Sequence, residues 1–357
     1  MTQELKLIKN PKLDYNEKFD IVENIMGNDY IVVEWMMGNT CNYSCTYCGP
    51  MFNGGDKGWP TLEEFKEFTK RTTDHYNNCN KKVVWTLLGG EPTVWKDFAE
   101  AFRFLKEYDP QCVVRFLTNG SRTLRWWEKN AKLFDEVIIS WHPESADYVH
   151  CGKVADLIIE AGNYANIQTC LYPPLADLCM EATKYLHANS KADSISPKAL
   201  QFTLDSAETF EYPEGYMDEA MKYEGATIYN QRGWGNNTED ALMKSEFKNN
   251  QRKKWRKAYG KMMRFVNSTT GETKLERANL LMADGRNSWE GWECHIGIEA
   301  LVIDINGKVT SGSSCNHHIN HGHITKPDEI VFPHKPIICE YKWCSCIADV
   351  EITKIKK

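Results

Sequence analysis

From Tyr30 onward the chain alternates short apolar runs with amphipathic stretches. The runs at 30–37, 83–88, 112–118, 136–141 and 166–172, with a weaker one at 200–204, have the length and composition of strands. Between them lie helical patterns at 61–73, 95–107, 122–132, 151–162 and 174–188, the first opening at Pro60 and Thr61. This alternation predicts parallel strands joined by crossover helices, an α/β fold. Five or six units are too few to close an eight-unit barrel. Residues 1–29 are polar and mixed, and read as an N-terminal cap. Residues 206–290 break the alternation, being rich in charge, Asn and aromatics. They read as a bridge or insertion over the strand ends, or as a solvated helical linker. From Gly291 the pattern changes again. The run Ile298–Asp304, the turn Asn306-Gly307 and the following Lys308, Val309 and Thr310 predict a β-hairpin.

Bulk properties narrow the class. At 357 residues and 42% hydrophobic content there is enough chain for two domains, or one with an insertion, around a full core. A net charge of −6 gives no global nucleic-acid signature. The N-terminus carries no signal-peptide pattern, and no apolar run reaches the ~18 residues of a membrane span. Thirteen cysteines without a secretion signal predict a reducing cytoplasm, with thiols used for metal ligation and not for disulfides.

The most informative cysteines follow the first strand run. Cys41, Cys45 and Cys48 are spaced C-x3-C-x2-C. Three thiolates this close suit one [4Fe–4S] cluster, which has four irons, so one iron is left open to another ligand. The rivals are structural zinc, which takes four ligands usually as two separated pairs, and thiols that are merely buried. A haem attachment would need His after Cys48, where Gly49 stands. One strand later, Gly89-Gly90-Glu91-Pro92 ends the run 83–88. Two glycines let backbone approach a ligand closely, and Glu91 offers a carboxylate to an ammonium group. By itself the tetrapeptide is a turn.

The cysteine triplet with Tyr47 before its last cysteine, followed by Gly-Gly-Glu on the second strand, resembles the radical S-adenosylmethionine (radical SAM) enzymes. The resemblance implies a partial (β/α)6 TIM-like barrel over residues 30–205, with its site at the carboxyl ends of the strands. It implies that the open iron binds the amino and carboxylate groups of SAM, that Gly89, Gly90 and Glu91 receive the amino group, and that the backbone at Tyr47 lies near the adenine. Reductive cleavage of SAM then gives a 5′-deoxyadenosyl radical that abstracts hydrogen from a substrate, the electron coming from a donor such as flavodoxin or ferredoxin. By the same analogy Ser140 contacts SAM. Asn119, which ends the third strand, is a further candidate cofactor contact or a turn residue. His142 is a candidate proton donor or acceptor, or a hydrogen-bonded His beside Pro143.

A second set of cysteines, Cys294, Cys315, Cys339, Cys344 and Cys346, surrounds the predicted hairpin. Five cysteines offer four ligands for one further [4Fe–4S] cluster, and zinc would accept the same spacing. Residues 291–347, within a domain that extends over 291–357, resemble the auxiliary-cluster domains called SPASM and twitch, which open with Cys, a hairpin with Gly, then Cys. They depart from these domains in the longer spacing from Gly307 to Cys315, although Gly312 also precedes Cys315, and in lacking the seven-cysteine array of a full SPASM domain. One auxiliary cluster is therefore expected, not two.

The other cysteines read as follows: Cys112 and Cys170 as core residues, Cys79 as part of a polar run, Cys151 and Cys179 as helical. His317, His318, His321 and His323 form a patch that reads as an exposed loop or a metal site. Residues 244–264 hold nine Lys/Arg against Glu246. With Phe247, Trp255, Tyr259 and Met263 spaced four or eight apart, they read as a basic helix, either a solvated face or a seat for an anionic substrate. The resemblance points first to oxidative or cross-linking modification of a peptide or protein side chain. Radical modification of a nucleoside, nucleotide or nucleic-acid base is the alternative, and a non-catalytic iron–sulfur or zinc protein the third reading.

Overall fold

The computed structural model describes residues 18–24, 27, 29–200, 210–228, 262–277, 281, 286–312, 319–341, 344 and 350–357. Its strands are β1 (Ile21–Asn24), β2 (Tyr30–Met36), β3 (Lys82–Leu88), β4 (Val113–Thr118), β5 (Glu136–Trp141), β6 (Tyr164–Leu171), β7 (Ser194–Ala199) and β8 (Gly225–Ala226). They continue as β9 (Met262–Val266), β10 (Thr273–Arg277), β11 (Glu293–Cys294), β12 (Ala300–Ile303), β13 (Lys308–Thr310), β14 (Gly322–His323), β15 (Ile337–Ile338) and β16 (Lys354–Ile355). The helices are α1 (Leu62–Asn78), α2 (Phe98–Tyr108), α3 (Leu124–Asn130), α4 (Tyr148–Glu160), α5 (Ala176–Asn189) and α6 (Tyr216–Met221). A single helical turn at Pro50–Asn53 precedes α1.

A ten-stranded sheet runs β14-β13-β12-β2-β3-β4-β5-β6-β7-β8. Its centre, β2 to β7, is six parallel strands in chain order, with α1 to α5 in the crossovers. This is a mixed α/β fold whose parallel strands follow the alternation read from the sequence. Three of the crossover helices, α1, α3 and α4, start with a side-chain cap, from Thr61, Thr123 and Asp147. At α1, Thr61 Oγ1 accepts the Glu64 N–H at 3.2 Å while Glu64 Oε2 accepts the Thr61 N–H at 2.8 Å, a reciprocal cap.

Along each strand the side chains alternate between two environments. One set faces the helices and is apolar and buried: Val33 and Trp35 on β2, Val83, Trp85 and Leu87 on β3, Phe116 on β4, Ile139 and Trp141 on β5, Ile167 on β6, Ile195 on β7. Trp35 stacks on Phe65 of α1 at 5.5 Å between ring centroids and meets Phe68 edge-on at 5.1 Å. The other set is polar over much of its length. Glu34, Thr86, Arg115 and Glu136 are register neighbours across β2 to β5, and Ser140, Gln168 and Ser196 across β5 to β7.

The sixth parallel strand lies at Ser194–Ala199, earlier than the 200–204 run, of which only Leu200 is among the described residues. It contains Pro197, which weakens the strand pattern in the sequence. Proline is accepted there because β8 pairs only with Ser194 and Ile195.

The expected hairpin is formed by β12 and β13, but it is not separate from the main sheet: β12 lies parallel to β2, with Ala300 opposite Val32 and Ile303 opposite Trp35. A second, antiparallel sheet has the order β10-β9-β1-β16-β11-β15, so residues near both ends of the chain share it. Its core holds Phe19, Val22, Met263, Phe265, Trp289 and Val350. Met263, read as part of a basic helix, is thus a buried strand residue, because Met262–Val266 pairs with both β1 and β10. Residues 244–261 of that reading lie outside the described residues. Among the described residues no helix is long and apolar enough to cross a membrane.

Candidate active site at the carboxyl ends of the parallel strands

The loop after β2 carries Cys41, Cys45 and Cys48, and the strands on its side of the sheet hold it from below and from the flank. Below it, the turn after β3 is in direct backbone contact with the loop. The Gly90 N–H donates to the Gly38 carbonyl and the Glu91 N–H to the Thr40 carbonyl, both at 2.9 Å. This approach requires the two glycines. A Cβ on Gly89, whose φ is +153°, would stand 2.5 Å from the Gly38 oxygen, and one on Gly90 would collide with the Thr40 oxygen.

Glu91 is fully buried. Its Oε1 accepts the Thr93 N–H at 3.1 Å, the Thr93 hydroxyl at 2.5 Å and the Thr118 hydroxyl at 2.8 Å, and its Oε2 accepts the Asn119 N–H at 2.6 Å. Burial pushes this carboxyl up, and the four donors pull it back. The carboxylate therefore ties the β3 turn to the end of β4.

From the end of β4, Asn119 reaches the first half of the loop. Its Nδ2 donates to Asn42 Oδ1 at 3.0 Å and lies 3.8 Å from Cys41 Sγ, while Asn42 Nδ2 donates to Ser121 Oγ at 3.0 Å. The Tyr43 N–H points at the same sulfur at 3.4 Å. From the end of β5, His142 and its neighbours reach the second half. Tyr47 Oη and His142 Nδ1 are 3.0 Å apart, and the two rings stack at 5.9 Å. Tyr172, after β6, packs on Tyr47 at 4.8 Å and carries Phe210 edge-on at 5.9 Å. Burial first, then the charge of Lys198, holds the His142 imidazole down at about 4, so it is neutral at pH 7. Ser140 stands two residues before His142 on the polar face of β5.

The sequence-predicted residues Cys41, Cys45, Cys48, Tyr47, Gly89, Gly90, Glu91, Asn119 and His142 are thus brought together at one edge of the sheet. Four neighbours were not singled out by the sequence: Glu144, Gln168, Tyr172 and Lys198. Their signal was position: Glu144, Tyr172 and Lys198 lie at or next to the carboxyl end of a parallel strand, and Gln168 lies within β6 opposite Ser140. Cys170 was read as core. It is buried, yet it lies on the polar face opposite Lys198 in register, because Thr169 beside it turns to α5 and bonds Thr183.

The donor set fits an iron–sulfur cluster. Burial first, then Cys45 and Cys41, push the Cys48 thiol up to about 11, and burial also raises the Cys41 thiol. Sulfurs so placed deprotonate together around a cationic centre, and the Tyr43 and Asn119 N–H groups suit thiolate on Cys41. No three His, Cys, Asp or Glu side chains among the described residues converge as a single-ion site requires. Thiolates of a cluster bind separate irons and need not converge.

The second cysteine set is more dispersed. Cys294 pairs with Ile337, while the Cys339 N–H donates to the Trp292 carbonyl at 2.8 Å, which puts Cys294 and Cys339 on one face of adjacent strands. Cys344 is pinned by Asn287, which accepts its N–H at 2.8 Å and donates to its carbonyl at 2.7 Å. Cys315 and Cys346 lie outside the described residues, as do His317 and His318. His321 is bonded to Ser311 Oγ at 2.6 Å, and His323 to Thr325 Oγ1 at 2.8 Å and the Asn306 carbonyl at 2.6 Å, so both serve local loop structure. All the described cysteines are free thiols. Cys112, Cys151 and Cys179 belong to the apolar core, and Cys79 is exposed.

Comparison with known proteins bears on this edge of the sheet. Among solved structures, the chain is similar to native anSMEcpe with bound AdoMet, at 14% identity over 83% of this chain and 78% of that one, with a TM-score of 0.45. It is similar to Streptococcus suis SuiB bound to S-adenosylmethionine, at 14% identity over 79% and 60%, with a TM-score of 0.44. It is also similar to BtrN in complex with AdoMet and 2-DOIA, at 13% identity over 83% and 79%, with a TM-score of 0.40. Residues 35–150, from β2 through the start of α4, match the radical SAM superfamily. That match spans the cysteine loop, the Gly-Gly-Glu turn and the strand ends that hold them.

Proposed function

We propose that the protein is a radical SAM enzyme that modifies a peptide or protein side chain by oxidation or cross-linking. The observation that carries the enzyme class is the cysteine loop held over the carboxyl ends of β2 to β5 by the Gly-Gly-Glu turn. Six consecutive parallel strands with crossover helices support a partial (β/α)6 barrel for residues 30–205. The cap at 1–29, the bridge at 206–290 and the cysteine-bearing segment 291–357 complete the proposed organisation. Cys41, Cys45 and Cys48 would hold the first cluster. Gly89, Gly90, Asn119, Ser140 and Tyr47 would line the SAM site, while Glu91, fully buried and bonded to four donors, braces the turn beneath it and is not free to receive the amino group. When bound, cluster and SAM supply a 5′-deoxyadenosyl radical that abstracts hydrogen from the substrate. The chain's own residues shape the place where this happens. Tyr43, Tyr47, Tyr172 and the neutral His142 wall it with rings and limit water.

The substrate reading rests on the polar face of β5 to β7. The buried Gln168 Oε1 has no hydrogen-bond partner among the described residues, whereas Asn166, nearer the amino end of β6, is taken up by Ser194 Oγ at 2.7 Å and Ser196 Oγ at 3.1 Å. An amide oxygen of the Gln168 kind matches the N–H donor of a peptide. A polyanion would need several cations, and Arg115 on this face is already bonded to Thr86 at 3.1 and 2.8 Å. Four of Cys294, Cys315, Cys339, Cys344 and Cys346 would hold an auxiliary cluster, whose chemistry would be to serve as an electron acceptor or as a direct ligand for the substrate. The shared face of Cys294 and Cys339 supports it, and zinc is the alternative occupant. The reducing electron would come from a flavodoxin or ferredoxin in the cytoplasm.

The test is anaerobic reconstitution, reduction and assay for 5′-deoxyadenosine from SAM. Replacing Cys41, Cys45 and Cys48 with Ala should abolish the product, and persistence of SAM cleavage in that triple variant would overturn the assignment. With a peptide substrate, mass spectrometry should show loss of hydrogen atoms in pairs, and an unchanged mass for every peptide offered would sink the substrate reading.

A further inference from the structure

The second half of the cysteine loop is held one residue at a time by the segment after β5. Ser145 Oγ lies 3.7 Å from Cys45 Sγ. Glu144 Oε2 accepts the Thr46 N–H and its Oε1 accepts the Thr46 hydroxyl, both at 2.7 Å. His142 Nδ1 meets the Tyr47 hydroxyl at 3.0 Å. Tyr172 Oη, 3.1 Å from Thr46 Oγ1, closes the same point from β6. Three consecutive residues, Cys45, Thr46 and Tyr47, are thus matched to Ser145, Glu144 and His142 in reverse order.

Glu144 differs from the other two grips. It is the charged one, it is exposed, and among the described residues it forms no ion pair. Both its oxygens are committed to a single residue that stands between two cysteines. Thr46 is itself exposed, so these bonds contribute little to folding. What they do fix is the backbone between Cys45 and Cys48, where the Cys48 N–H donates to the Cys45 carbonyl at 3.1 Å.

We propose that Glu144 is a positioning residue for the iron–sulfur loop: it fixes the turn between Cys45 and Cys48 and sets a negative charge beside the cluster they hold. The proposal rests on the cluster reading above. Two effects follow. Outer-shell groups that orient metal ligands change metal retention by about 10–100-fold when removed. A fixed negative charge near a cluster opposes the arrival of an electron, so it lowers the reduction potential.

The two effects separate in two substitutions. Glu144→Ala removes the bonds and the charge. Glu144→Gln keeps an acceptor for the Thr46 N–H and places a donor at the Thr46 hydroxyl, but removes the charge. On reconstituted full-length protein, iron release to a chelator and the potential of the cluster are measured, with the thermal midpoint as a control for folding. The Ala variant should lose iron about tenfold faster than the parent. The Gln variant should release iron at the parent's rate and reduce at a higher potential. If both variants match the parent in iron release and in potential, Glu144 is a surface residue and the proposal is wrong. If the parent takes up no iron and sulfide, the cluster reading fails first, and the two failures are told apart by that one control.

Discussion

Cys41, Cys45 and Cys48 come from eight consecutive residues, whereas Cys294, Cys339 and Cys344 come from an inner strand, the residue after the edge strand beside it and a pinned loop residue. The first set hangs in a loop that confines the three cysteines to eight residues, and the neighbouring strand ends grip it through Asn119, His142, Glu144 and Ser145. The second set depends on strand pairing across the antiparallel sheet: Cys294 and Cys339 share a face only because β11 pairs with β15. A local ligand set keeps its geometry if a distant part of the sheet is disturbed. A set assembled by pairing does not.

The largest expected effect is on metal content. If both sets hold [4Fe–4S] clusters, the parent binds about eight irons per chain and the Cys41/Cys45/Cys48→Ala variant about four. Cys294→Ala with Cys339→Ala should also leave about four, but those four should still respond to SAM. Elemental analysis decides, and one zinc in place of the residual iron would show that the second set is a zinc site.

Next comes the backbone contact that supports the first set. Gly90→Ala places a methyl group against the Thr40 carbonyl, which already accepts the Glu91 N–H. The expected cost is about 3 kcal/mol by denaturant titration, accompanied by loss of iron from the first cluster. A stable variant with full iron would mean that the turn does not support the loop.

His142 supplies a pH test of comparable or smaller size. Its pKa is lowered to about 4, chiefly by burial, against an ordinary value of 6.5. Between these values the unfolded chain binds the extra proton. Its contribution is therefore complete above about pH 6.5 and is lost as the pH falls toward 4. Relative to His142→Gln, the parent should lose on the order of 2 kcal/mol of stability over that window. Parallel stability curves for the two proteins would show that His142 is not held neutral by the fold.

The smallest effect concerns Gln168. Its buried amide oxygen has no partner among the described residues. Gln168→Leu should therefore stabilise the protein by about 1 kcal/mol, while weakening turnover of a peptide substrate. A destabilised variant would show that Gln168 serves the fold.

How much of this was legible beforehand follows the same division. The five strong strand runs match β2 to β6 within two residues at each end, because each combines an apolar face with a turn signal. The sixth strand was misplaced because Pro197 and two serines hide its apolar anchor, Ile195. The parallel pairing of β12 with β2 was not legible, since nothing local in Ala300–Ile303 specifies a partner at the other end of the chain. In the site, Cys41, Cys45, Cys48, Gly89, Gly90 and Glu91 announce themselves by spacing. Glu144, Gln168 and Lys198 do not, because an exposed acid, a strand amide and a strand lysine have many uses, and only the fold brings Glu144 to Thr46 and sets Gln168 and Lys198 on one face of the sheet.

The central claim is that the 41–48 loop holds a cluster with one iron open to SAM. The most direct test is the electron paramagnetic resonance spectrum of the reduced Cys294→Ala, Cys339→Ala protein, recorded with and without SAM. Without the second cluster, any signal belongs to the loop. A cluster signal whose shape changes on addition of SAM is the predicted result. A cluster signal that SAM leaves unchanged, or no cluster signal from a protein that is folded and iron-loaded, would contradict the account.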